Sequence, residues 1–126
     1  MLRNQTVVVI ADNTGAKKAE IIRIIKGSNE KFAKIGDKVV VAIKEANSTS
    51  SIKKGDVSWG IIVRTKKETQ RTDGTYVRFS DNAIILMTKD AKGILNPVGK
   101  RIFGPVAKEL KQMGYKNITN MAEEVV

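Results

Sequence analysis

The chain has no cysteine and no histidine. Without thiols it has neither a disulfide framework nor a thiolate metal site. Without imidazole it lacks a Ser-His-Asp arrangement, a histidine-ligated metal and a histidine pH switch. Aromatic residues are only 5% of the chain, namely Phe32, Trp59, Tyr76, Phe79, Phe103 and Tyr115. A protein that reads splayed single strands usually displays more of them, so recognition of folded RNA through backbone and shape is the better expectation. Acids are outnumbered, 13 against 23 lysines and arginines. No two carboxylates share a spacing suited to a metal-dependent nuclease, and Asp12 and Asn13 suit a turn better than catalysis. No apolar run approaches the length of a membrane span, and Met1–Thr6 does not resemble a signal peptide, which predicts a soluble cytoplasmic protein.

What is present is positive charge on a β-rich chain. Net charge is +10 over 126 residues, 41% of them hydrophobic, enough for one folded domain that displaces counterions from a polyphosphate. Thr6–Ala11, Ala19–Lys26, Asp37–Ala46, the stretch from Val57 through Val63, and Asn82–Thr88 are rich in β-branched residues and bounded by Gly, Asp and Asn turns. Five such segments at short spacing predict a mainly β fold, a small five-stranded barrel whose closure hides strand edges. Gly27–Gly36 and Asn47–Ser51 read as loops. Pro105 is placed as the first-turn residue of a helix over VAKELKQM, with Gly114 as its stop. Tyr115–Val126 suits a final short helix or an extended tail. The whole divides into a barrel over about 1–99 and a C-terminal helical region over about 100–126.

Gly60–Leu86 carries the strongest functional signal. Two apolar runs flank a basic arm that turns at Asp73-Gly74, a pair suited to a type I′ hairpin with both central residues at positive φ. Lys53, Lys54, Arg64, Lys66, Lys67, Arg71 and Arg78 lie in or just before it, among only three acids, Asp56, Glu68 and Asp73. Such an arm suits phosphate contact; its plainer reading is a solvated hairpin that maintains solubility. Phe79 is expected in the core, and Trp59 in core or rim packing. Tyr76 stands beside Arg78, where a base has room to stack. A free-standing oligonucleotide-binding barrel is the alternative, with an enzyme third.

The blocks Ala11–Lys18 (ADNTGAKK), Lys53–Val57 (KKGDV), Val63–Lys67 (VRTKK), Arg78–Ala83 (RFSDNA) and Gly99–Leu110 (GKRIFGPVAKEL) resemble the family of the universal large ribosomal subunit protein fourteen, of bacterial type. So does the run from Gly60-Ile61-Ile62-Val63 across the arm to Asp73-Gly74, Phe79 and Asn82, with Ile85 where relatives usually carry Val. The resemblance implies a barrel with a protruding hairpin that binds large-subunit rRNA directly and helps form bridges to small-subunit rRNA. Carried onto this chain, the rRNA contacts are Lys17, Lys18, Lys53, Lys54, Arg64, Lys66, Lys67, Arg71 and Arg78. The bridge and partner surface is Lys100, Arg101, Lys108 and Lys111. Implied partners are the third and nineteenth large-subunit proteins and the ribosomal silencing factor, with no cofactor, metal or membrane. The chain departs from the family pattern in a longer Lys89–Asn96 connection and in Asn117, where relatives often carry a cation.

Overall fold

A computed structural model describes residues 2–25 and 32–126; the expected loop over Gly27–Gly36 falls partly outside them. In chain order the strands are β1 (Val7–Ile10), β2 (Ala16–Ile25), β3 (Lys38–Ala46), β4 (Val57–Arg64), β5 (Thr69–Gln70), β6 (Tyr76–Val77), β7 (Ala83–Lys89), β8 (Leu95–Pro97) and β9 (Ile102–Val106). Two short helices, α1 (Glu109–Gln112) and α2 (Lys116–Met121), precede the last strand, β10 (Ala122–Val125).

The fold is mainly β, a closed five-stranded barrel with a short C-terminal helical region. Strands β1 to β4 pair as antiparallel neighbours, and β7 pairs antiparallel with β4. The ring closes where β7 runs parallel to β1, Val9 opposite Ala83 and Ile10 opposite Ile84. Beyond that seam the same edge of β7 is taken by β8, with Met87 opposite Pro97 and Lys89 opposite Leu95. Alternation sets the faces of β1: Val8 and Ile10 point into the core, Val7 and Val9 out.

β4 and β7 do not alternate. Gly60–Arg64 and Ala83–Met87 are buried without a break, because these strands are covered on both faces. Ile61, Ile62, Ile84, Ile85 and Leu86 are fully enclosed, each contributing about 1.5–3 kcal/mol of apolar burial. Part of the outer cover is C-terminal: Ile102, Val106, Leu110 and Ile118 belong to the same core cluster as the barrel interior. Neither short helix has a side-chain cap, so packing of Leu110 and Ile118 holds them rather than intrinsic helix stability.

Two local expectations are corrected. Pro105 opens no helix: it lies in β9, which pairs in parallel with β10, and the helix beyond it is only Glu109–Gln112. Gly104 lies just before Pro105 at φ +81°, within β9, and the strand partner comes from the far end of the chain. The Asp73-Gly74 turn is not type I′, since only Gly74 takes positive φ, +88°. The Gly74 N–H donates to the Arg71 carbonyl and the Arg71 N–H to the Thr75 carbonyl, so the loop is a three-residue turn with glycine in the left-handed position. The two alternatives for Tyr115–Val126 both occur in succession, α2 and then β10. Gly114 does end α1, its N–H donating to the Lys111 carbonyl.

Candidate nucleic-acid interface

The expected rRNA contacts fall into two groups at opposite ends of β4, roughly 25 Å of strand apart. Lys17 and Lys18 form the start of the first group. They are adjacent in sequence yet both exposed, because register shifts in the β2–β3 ladder at Ala16, Lys18 and Ala19 break the alternation. Lys53 and Lys54 sit in the turn that enters β4, shaped by the Asp56 carboxylate accepting the Lys53 N–H at 2.9 Å. The Asn47 N–H donates to the Gly15 carbonyl, and Lys53 Nζ to the Ser48 carbonyl, which draws the two lysine pairs to the same end. The Lys18–Glu45 pair, 3.9 Å and exposed on both sides, leaves Lys18 available.

The second group rides on the arm between β4 and β7. Lys66, Lys67 and Arg78 are exposed. Their backbone is fixed at the stem: Asn82 Oδ1 accepts the Lys66 N–H at 2.8 Å, and Thr65 Oγ1 donates to the Lys67 carbonyl at 2.9 Å. Phe79 packs against the core as expected, while Tyr76 is 60% exposed.

Arg64 and Arg71 depart from the expectation that they present guanidinium to solvent. Arg64 is 7% exposed. Its Nε and Nη2 reach the two Asp81 oxygens, at 2.8 and 3.3 Å, and Nη1 donates to the carbonyls of Phe103 and Pro105. Arg71 Nη2 donates to the Val126 carbonyl at 2.6 Å, and Nε lies 2.7 Å from Glu109 Oε1, an ion pair whose N–H is turned off the line to the oxygen. A planar fork of five donors suits such enclosed junctions, whereas lysine suits an open surface. Both arginines fasten barrel and arm to the C-terminal region.

Asp12 and Asn13 do more than shape a turn. Asp12 Oδ1 accepts from the Thr14 hydroxyl at 2.6 Å, while Oδ2 accepts the Leu86 N–H at 2.9 Å, pinning β1 to β7. Burial pushes the Asp12 carboxyl above its ordinary value, against the opposing pull of those hydrogen bonds. Asn13 Oδ1 accepts the N–H groups of Lys100 and Arg101, which sets both exposed side chains at the entrance to β9. Lys108 and Lys111 are exposed around α1. Lys108 faces the arm tip: the Asp73 carboxyl is held below its usual range by the Thr75 hydroxyl and N–H first, then by the charges of Lys108 and Arg71.

A cavity of about 570 Å³ lies between the β7–β8 hairpin and α2. Trp59 packs partly on the core and also lines this space, with Lys89 Nζ 4.1 Å from its ring centroid. The Lys89–Asn96 connection and Asn117 meet here as well. Burial first, and Asp37 second, raise the Tyr115 hydroxyl above its ordinary pKa. Among the described residues no group of acids is placed to hold a metal ion, and no helix is long and apolar enough to cross a membrane.

A sequence model of the family described as ribosomal protein L14p/L23e matches residues 1–126. The chain belongs to that family. As an L14p/L23e protein it has a structural, non-enzymatic role in the large ribosomal subunit, and its setting is the ribosome, among rRNA and neighbouring ribosomal proteins. Exposed cations on a closed barrel fit an L14p/L23e protein.

Proposed function

We propose that this chain binds large-subunit rRNA directly, through Lys17, Lys18, Lys53 and Lys54 at one end of β4 and Lys66, Lys67 and Arg78 at the other. Arg64 and Arg71 act behind them, as braces that hold the arm. The observation that carries this reading is the exposure of Lys66, Lys67 and Arg78 on a stem whose backbone is fixed at Thr65 and Asn82, with none of the three in an ion pair among the described residues. Cations on a fixed backbone lose little freedom on meeting phosphate, and counterion release supplies most of the affinity.

Lys100, Arg101, Lys108 and Lys111 form the second surface, which helps bridge to small-subunit rRNA. Exposed Phe103 and Met113 give the same region apolar area for neighbouring proteins, the third and nineteenth of the large subunit and the silencing factor. The resemblance to the bacterial type supports a ribosome in the bacterial cytoplasm. Sedimentation of cell extract in moderate salt tests the proposal: the unaltered chain is expected with large subunits, and Lys66→Gln/Lys67→Gln/Arg78→Gln with a larger free fraction. Equal retention of both on the particle would place the RNA surface elsewhere.

A further inference from the structure

The cavity between the β7–β8 hairpin and α2 combines features that the arm lacks. Its walls include the only tryptophan of the chain, Trp59, the half-buried Tyr115, and three lysines, Lys38, Lys89 and Lys116. Among the described residues no carboxylate lines it, though Asp37 is near enough to act on Tyr115, and none of the three ammonium groups is in an ion pair. Lys89 lies over the indole, so that ring face is already a place where positive charge and π surface meet. Asn117 adds an amide, with donor and acceptor side by side.

We infer that this cavity takes a single unstacked RNA nucleotide, its base against Trp59 and its phosphate among Lys38, Lys89 and Lys116. The inference rests on the chain being an RNA binder and names a site outside the arm. A volume of about 570 Å³ lies in the range that admits a small planar ligand. Aromatic faces accept any base, and an amide can read a Watson–Crick edge. An acidic protein segment fits less well: a stable protein contact needs on the order of 1,000 Å² of buried surface, whereas one nucleotide needs one ring face and one cluster of cations. When the base enters, the flexible Lys89 stem moves its ammonium off the ring and onto the phosphate.

Trp59 is the only tryptophan, so its emission comes from the wall of this cavity. The full chain is titrated with single-stranded octa-uridylate, whose bases are only weakly stacked on one another, and binding is followed by Trp59 emission and by anisotropy of the end-labelled oligonucleotide. Quenching is expected, with one Kd from both signals. Trp59→Leu should weaken binding roughly tenfold. Because Trp59 also packs on the core, the exposed Lys116→Glu is the second variant, expected to weaken binding by a similar factor with an unchanged circular dichroism spectrum. Bound octa-uridylate that leaves emission unchanged, or equal affinity for Lys116→Glu and the unaltered chain, overturns the inference. So does quenching by an acidic peptide with none by octa-uridylate, which would make this a protein-docking site. Large-subunit rRNA binding by the unaltered chain and by Lys66→Gln/Lys67→Gln is measured in parallel. If the arm variant loses rRNA while octa-uridylate fails to quench, the cavity reading falls and the arm reading stands. If rRNA binding ignores the arm while octa-uridylate quenches, the reverse holds.

Discussion

Arg64 and Arg71 point inward from the same ribbon whose lysines point outward. Replacing Arg64 by Ala leaves the Asp81 carboxylate and the carbonyls of Phe103 and Pro105 without their donor. The expected cost is about 3 kcal/mol, read as a lower urea midpoint. Arg64→Lys should recover only part of it, since one ammonium cannot span Asp81 and both carbonyls. Asp12 gives a pH signature. Its folded pKa is raised, so the stability it contributes is complete below the ordinary carboxylate value of 3.8 and is lost as pH rises through the folded value. The advantage of the unaltered chain over Asp12→Asn should therefore be larger near pH 3.5 than at pH 7; an equal difference at both, by denaturant titration, would contradict it. Neither role was legible in the sequence. Residue type shows a cation or an acid, but the partners lie 17, 39 and 74 positions away, and only the fold brings them together.

The barrel strands were legible because they are continuous β-branched runs closed by Gly and Asp, and each was found within a few residues of its expected span. The short C-terminal helical region was legible in outline, but the strands beside its helices were not, for a physical reason. VAKELKQM has helical spacing, but Ile102–Val106 meets β10 in parallel, and long-range pairing overrides a short stretch's own preference. Gly104 is the joint of that arrangement. Its φ is +81°, and a β-carbon there would run into Arg64 Nη1. Gly104→Ala is expected to cost at least about 1–2 kcal/mol for the backbone conformation alone. Because the clash disappears with the guanidinium, Gly104→Ala and Arg64→Ala together should cost less than the sum of the two, a coupling that a double-mutant cycle on urea midpoints measures. The exposed lysines, by contrast, were read correctly as exposed, since lysine seldom sits elsewhere.

For the whole molecule the net charge of +10 predicts strongly salt-dependent RNA affinity. Neutralising Lys66 and Lys67 should each lower the slope of log affinity against log salt by roughly one unit, while leaving thermal unfolding nearly unchanged. Unaltered slopes in filter binding would mean that neither side chain meets phosphate. The parallel seam between β1 and β7 has a further consequence for how the molecule comes into being. Until Ala83 and Ile84 have been synthesised, Val9 and Ile10 have no partner on that flank, and a nascent chain halted in the arm would expose two raw ribbon margins to its surroundings. A strand that begins about two thirds of the way along the polypeptide thus completes the scaffold that the first third begins, and a prematurely terminated product is expected to stick to its neighbours instead of joining a particle.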